Sequence, residues 1–564
     1  MKGGRSRLIL IISSLFFSAC ASVPRPATLP TLDLATLARE GTPLSVALVA
    51  AEQVTDVHSR IYAYTEIARG YIAQDSGNEA LRLLDRALQL TSLANLTQDS
   101  SDIQSSVAGL LVEAGQTDRA VQLLQTALDG LNAIRDDTTK GLVLEKIISA
   151  CFAAGPPAYD VLRQTVQAIY IIQDLWVRAS LLVDTARRYQ DAGLTQPVNI
   201  LLQQAIPAAG SIASPWLKAL ALSEIAVRFQ VSGNADSASY YAVRSIDQIT
   251  SVTVVRRSEE DASRVIQVAE NLATLHKSKD ALSVLQTVEY AYLRAEGYAA
   301  VAQKSFADAP DSRGQALDLC SQAVDLAQSI SDPYQRVEAL AAVANAYGSI
   351  HQPRLALATA GVARELLPQV TNAAQRSAAV EAVSRVEIAW GEWQKVVPSV
   401  SAIGDPYYRA STMISLTDAL ISAKKSSAAE LTLKLAEKDA AAAPFLRDNL
   451  FRSAALARIR VGDFSAAIDD IAQIQNAYPL ATTLADLGRN LANAGSAGTV
   501  SSVGGVADAL TVEAGDKLRT IAAELLKRSG KAPSTVAPAV PKAPVQQPAN
   551  PVPQPQVPEG DQGL

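Results

Sequence analysis

Residues 64–87 read YTEIARGYIAQDSGNEALRLLDRA, and their spacing decides the fold. Tyr64, Ile67, Ala68 and Tyr71 share one face of a helix with a 3.6-residue period, and Ala80, Leu84 and Ala87 share one face of a second. Two antiparallel helices approach closely only where small side chains meet. Ala68 and Ala80 permit that approach, while Ile67, Tyr71 and Leu84 fill the space around it.

The same frame returns along the chain. Val107, Ala108 and Leu111 with Ala120, Leu124 and Ala127 form another copy. Further copies start at Ala186 with Tyr189, at Ala226 with Phe229 and Ala238, at Ala269 with Ala281, and at Ala344 with Tyr347 and Ala356. Ala455 with Ala467, then Gly488, carry it toward the C-terminus. A glycine seven residues beyond the small position closes the first helix at Gly115, Gly155, Gly193, Gly233, Gly391, Gly462 and Gly495. Copies stand mostly 38 to 40 residues apart, and the copies around Cys151 and around Ala309-Pro310 are degenerate. One such unit cannot bury its own apolar face, so stacked units share a continuous core.

A large residue, an aliphatic-small pair, an aromatic, then Ala-x3-large-x2-Ala resembles the tetratricopeptide (TPR) repeat, with an interval longer than the usual 34 residues. The resemblance implies an all-α fold, an α-solenoid of about twelve TPR-like helix-turn-helix repeats over residues 36–503. Residues 504–530 follow as a capping helix, and residues 531–564 as a disordered Pro-rich tail with an extended reach on the order of 100 Å. A closed toroid of paired helices is the alternative arrangement. The resemblance also implies that first helices line a concave groove, which nominates Thr65, Arg69, Ser105, Val183, Arg187, Ser223, Gln230, Asn345 and Arg452.

Composition agrees with an all-helical chain. Aromatic residues make up 5% and charged residues 19%, and no run of alternating β-branched residues stands out. A formal net charge of −6 argues against nucleic acid as a partner. Of the three cysteines, Cys151 and Cys320 fall in separate helical segments and read as buried thiols. The three histidines (His58, His276, His351) have no metal-ligand spacing, so neither a metal nor a cofactor is expected. Adjacent carboxylates such as Asp469-Asp470 point to different helix faces, and no phosphate loop or nucleophile elbow is present, so no catalytic residue is nominated.

The first nineteen residues form a secretory leader. Lys2, Arg5 and Arg7 precede an apolar core from Leu8 to Phe17, too short to span a bilayer, and small residues follow. Phe17-Ser18-Ala19-Cys20 resembles the lipobox of bacterial lipoproteins, with Phe17 where an aliphatic residue is usual. The resemblance implies acylation of Cys20, which would become the mature N-terminus, with residues 20–35 as the linker. Ala21 lacks the aspartate of an inner-membrane retention signal, which implies an outer-membrane anchor facing the periplasm.

One further pattern is periodic. Eight positions before the small residue of the first helix a basic residue recurs, at Arg60, Lys140, Arg178, Lys218, Arg294, Arg336, Arg376, Arg409 and Arg447. Two residues earlier stands an aromatic, at Trp176, Trp216, Tyr292, Tyr334, Tyr407 and Phe445. A cation in a helix's first turn opposes the helix dipole, so something must favour it. A local ion pair with Asp174, Asp332 or Asp405, four residues earlier, is one reading. A basic-aromatic ridge for an acidic peptide or glycan is the other. The expected function is a membrane-tethered, noncatalytic scaffold or adaptor that binds envelope proteins or peptides. The alternatives are a lipoprotein holding a small hydrophobic or glycan ligand in its groove and, less favoured, a carboxylate-dependent hydrolase or lyase on a helical toroid.

Overall fold

The computed structural model describes residues 31–252, 258–442, 447–496 and 504–528. The leader, Cys20, Phe445 and the Pro-rich tail lie outside the described residues. Among the described residues there are 26 α-helices, six short 3-10 segments and no strand.

Two short helices, α1 (Leu34–Glu40) and α2 (Pro43–Ala51), precede a run of hairpins. The first four are α3 (Val57–Ala73) with α4 (Gly77–Leu93), α5 (Ser100–Glu113) with α6 (Thr117–Asp129), α7 (Asp137–Ala154) with α8 (Tyr159–Ala168), and α9 (Leu175–Asp191) with α10 (Thr195–Ser211). Next come α11 (Pro215–Val231) with α12 (Ala235–Thr250), α13 (Glu259–Thr274) with α14 (Ser278–Leu285), α15 (Ala291–Asp308) with α16 (Arg313–Gln328), and α17 (Pro333–Ser349) with α18 (Pro353–Leu366). The last three are α19 (Ala373–Ala389) with α20 (Val396–Ser401), α21 (Pro406–Ser422) with α22 (Ser426–Ala441), and α23 (Arg447–Val461) with α24 (Phe464–Ile471). Two longer helices, α25 (Ala477–Ser496) and α26 (Gly504–Arg528), end the described chain.

The small residues that define the repeat are the hairpin contacts. Ala68 with Ala80, Ala108 with Ala120, Ala269 with Ala281, Ala344 with Ala356, and Ala455 with Ala467 are all 0% exposed. The two degenerate copies still form hairpins, each with a short 3-10 segment at its turn. Gly115, Gly193, Gly233 and Gly462 adopt the left-handed conformation (φ 72°, 73°, 78° and 80°) that ends a first helix. Gly495 differs: it lies inside the last turn of α25 rather than beyond it.

First and second helices occupy different layers. In α11 ten residues are buried, on every side of the helix. Its partner α12 buries only Ala238, Ala242, Ser245 and Ile249, a single stripe at helical spacing. First helices pack side by side from each hairpin to the next, whereas second helices touch one another at only a few pairs. The first helices therefore form the inner wall and the second helices the outer layer.

The solenoid closes on itself. The last first helix, α25, packs beside α3, and α2 lies against α25 as a second helix lies against its own first helix. Gln74 Nε2 donates to Gly488 O at 3.3 Å, Gln53 Nε2 donates to Leu525 O at 2.6 Å, and Arg489 lies 3.7 Å from Glu66. The twelfth hairpin is thus composite, one helix from each end of the chain, and α26 covers the join against α1, α2 and α24. The fold is an all-α solenoid of twelve TPR-like hairpins bent into a ring.

Candidate functional site on the inner wall

Most of the recurring cations serve the connections between repeats, whereas Lys140 pairs locally with Asp137 at 3.1 Å. Arg178 Nε donates to Ile172 O at 2.8 Å, Arg336 Nε to Ile330 O at 2.6 Å, Arg294 Nη1 to Val288 O at 3.0 Å, and Arg409 Nη1 to Ile403 O at 2.7 Å. Arg60 makes the same bond to Val54 O at 2.8 Å. Each carbonyl lies six residues earlier, just past the end of the preceding helix, where unpaired carbonyls and the negative dipole end favour a cation. The unfavourable position on one helix is a favourable one on its neighbour.

Asp174, Asp332 and Asp405 do not pair with these arginines. Their carboxylates accept from backbone N–H groups at Val177 (2.9 Å), Gln335 (2.8 Å) and Tyr407 (2.9 Å) as helix N-caps. The residues that supply these acceptor carbonyls, Val54, Ile172, Val288, Ile330 and Ile403, are themselves buried aliphatic residues. The connector therefore has a signature: a buried Ile or Val, the N-cap position two residues on (Asp in all but Tyr290), and Arg six residues on. The signature is visible in the sequence as Ile330-Ser-Asp332-Pro-Tyr-Gln-Arg336 and Ile403-Gly-Asp405-Pro-Tyr-Tyr-Arg409.

The remaining ridge residues are placed one by one. Lys218 is half-buried, and Arg447 donates to Gln473 Oε1 at 2.7 Å while lying 5.4 Å from the Phe451 ring centre. Arg409 also forks onto Asp439, with two bonds of 2.6 Å. Trp216 is buried in the core at 6% exposure. Trp176, Tyr292, Tyr334 and Tyr407 are half-buried and packed on the core. Trp176 lines a hollow between α7 and α9 with Gly141 and Glu145. Cys151 and Cys320 are free and buried, and burial pushes both thiols up to about 12.

Polar contacts stitch neighbouring inner helices together. Tyr62 on α3 donates to Asp102 on α5 at 2.6 Å, and Lys146 on α7 pairs with the same carboxylate. Arg188 on α9 reaches Glu145 on α7 at 3.2 Å. Asn271 on α13 donates to Ser223 on α11 at 2.9 Å, and Ser415 on α21 donates to Glu381 on α19 at 2.6 Å. Of the nominated groove residues, Thr65, Ser105 and Ser223 are buried between helices, each donating to a carbonyl three residues earlier. Val183 and Arg187 face a cavity.

From α13 to α19 the wall is rich in carboxylates. Burial pushes Glu296 up to about 7, and Glu338 on the next helix adds to the shift. Burial also raises Glu338, with Glu381 contributing, and raises Glu270 against the opposing pull of Lys304. Glu270 and Lys304 line one hollow, of about 390 Å³. A second cavity, of about 320 Å³, opens between α9, α11 and α13, lined by Ser180, Val183, Asp184 and Arg187, by Glu224, Val227 and Arg228, and by Asn271. Arg187 and Arg188 both bond the Asp184 carboxylate, which lowers its pKa against the cost of burial.

No family model and no curated protein sequence matches the chain. Among solved structures it is similar to a Rap protein complexed with competence and sporulation factor, at 14% identity over 69% of this chain and 99% of that one, with a TM-score of 0.23. It is also similar to the human IFIT1 dimer with PPP-AAAA, at 14% identity over 81% and 96% of the two chains, TM-score 0.24. A circular tandem repeat protein with novel repeat topology aligns at 11% identity over 87% and 100%, TM-score 0.16.

Proposed function

We propose that this chain is a noncatalytic scaffold of the bacterial cell envelope, held by a lipid on Cys20 and binding partner proteins or peptides along the inner wall of its ring. The observation that carries the reading is the composite hairpin. Because α1 and α2 pack against α25 and α26, both ends of the ring leave from one sector of its outer layer. A tether attached there leaves the inner wall free. The thirteen residue-to-residue steps from Cys20 to Asp33 span at most about 45 Å, which would hold the seam close to the membrane surface. Twelve first helices then offer a long wall of mixed charge, of the kind that suits an extended partner.

Two measurements test this. Cell fractionation of the wild type and Cys20→Ala should place the first with the outer membrane and the second in the soluble periplasmic fraction. Unchanged fractionation of the variant would reject the tether. A photo-crosslinking residue at Gln303, on the inner wall, should capture protein partners in intact cells, whereas one at Tyr240, exposed on α12, should not. Capture only from Tyr240 would move the binding surface to the outside of the ring.

A further inference from the structure

The cavity between α9, α11 and α13 contains polar groups that the fold leaves unused. Its volume of about 320 Å³ lies at the lower end of the roughly 300–1,000 Å³ typical of small-molecule sites. Ser180 Oγ is buried with no hydrogen-bond partner among the described residues. Arg228 donates one hydrogen bond, to Gln190 Oε1 at 3.3 Å, although a guanidinium carries five N–H groups. Asn271 uses its amide nitrogen on Ser223.

Glu224 and Arg228 stand four residues apart on α11, with Cβ atoms about 5–6 Å apart as helix neighbours. Opposite charges at that spacing ordinarily pair. Here no ion pair within 4 Å joins them, and both line the cavity. The neighbouring Asp184 and Asp191 make their ion pairs with Arg187 and Arg188 and act on Arg228 only through space, against the repulsion of Arg187. Both side chains are half-buried, so each is only partly hydrated and has a polar partner to gain, and two groups of opposite polarity side by side narrow the class of ligand that suits both. A simple anion would leave Glu224 unmatched, a simple cation would leave Arg228 unmatched, and a neutral sugar would hydrogen-bond to both but offset the charge of neither.

We infer that this cavity binds a small zwitterion, such as a free amino acid or a dipeptide, with its carboxylate on Arg228 and its ammonium on Glu224. Ser180 supplies a hydrogen bond to the ligand's polar end, and Val183 and Val227 contact its aliphatic part. Burial pushes the Glu224 carboxyl up to about 7, with Asp184 adding to the effect and Arg228 opposing it. An arriving ammonium favours the ionised form and so has a partner to gain.

The test is calorimetric titration and thermal unfolding of the full chain in detergent. The probes are glycine, L-leucine, L-lysine, L-glutamate and the dipeptide Ala-Ala, with acetate and ethylamine as half-ligands. At least one zwitterion should bind at millimolar concentration and raise Tm. Glu224→Gln and Arg228→Gln should each weaken it at least tenfold, about 1.4 kcal/mol, with helical circular dichroism unchanged. If either variant fails to fold, Val183→Phe, which fills the cavity without removing a charge, should give the same loss. Absence of binding by every zwitterion, equal binding of acetate, or wild-type affinity in the folded variants would each overturn the site.

Discussion

Leu44 fills a notch that Gly488 leaves open: a Cβ on that glycine would stand 2.6 Å from Leu44 Cδ2. The same methyl carbon lies 2.6 Å from where a Cβ on Gly70 would stand. One leucine from the start of the chain thus sits between α3 and α25 and holds the ring shut. Leu44 is 1% exposed, and a buried Leu→Ala change typically costs about 2–5 kcal/mol. Leu44→Ala should therefore lower stability by that order in denaturant titration. Amide exchange should accelerate first in α1, α2 and α26, and acceleration spread evenly over all hairpins would contradict a local seam.

Arg336→Met removes the donor to Ile330 O. Hydrogen bonds to charged groups contribute about 1.5–3 kcal/mol, so the unfolding midpoint should fall by a matching amount in urea. Asp332→Ala removes the neighbouring cap and should cost about 1 kcal/mol. Loss of a bound partner with no change in the midpoint would instead mark these residues as a contact surface.

Stability should decline from about pH 5 to pH 8. Burial raises Glu224 and Glu296 to about 7 in the folded chain, against an ordinary value of 4.5. An acid raised on folding contributes stability that is complete below the unfolded pKa and is lost as pH rises through the folded one. Glu224→Gln and Glu296→Gln should flatten that slope, each by an amount on the order of 2 kcal/mol. Thermal melts across the range check the sign, and a decline that survives both substitutions would assign it to other groups.

The repeat was legible because its small residues obey a local rule. Ala68 and Ala80 meet within one hairpin, and their spacing needs no knowledge of the rest of the chain. The composite hairpin was not legible for the opposite reason. Leu44 has its partner at Gly488, and an isolated α2 carries no sign of which distant helix it will join. The nine recurring cations lie on first helices, but an ion pair with the aspartate four residues earlier was expected where Arg178, Arg336 and Arg409 bond carbonyl acceptors instead. Pairing by charge is visible in a sequence, whereas the free carbonyl at Ile330 exists only once the preceding helix has ended. The cavity at Glu224 and Arg228 escaped notice because their spacing suggests an ordinary surface pair.

Ring closure is tested most directly by the distance between the two ends of the folded chain. Glu40 and Asp516 are exposed on helices that touch, with Gly41 beside Gly515 and Arg519. Spin labels at Glu40→Cys and Asp516→Cys, in a Cys20→Ala background that leaves only the buried Cys151 and Cys320, allow the distance to be read by pulsed electron resonance. The closed ring predicts a single separation under about 25 Å. Neighbouring helices stand about 8–10 Å apart, so an open array of twelve hairpins would separate the labels by well over about 50 Å, and that result would contradict the account.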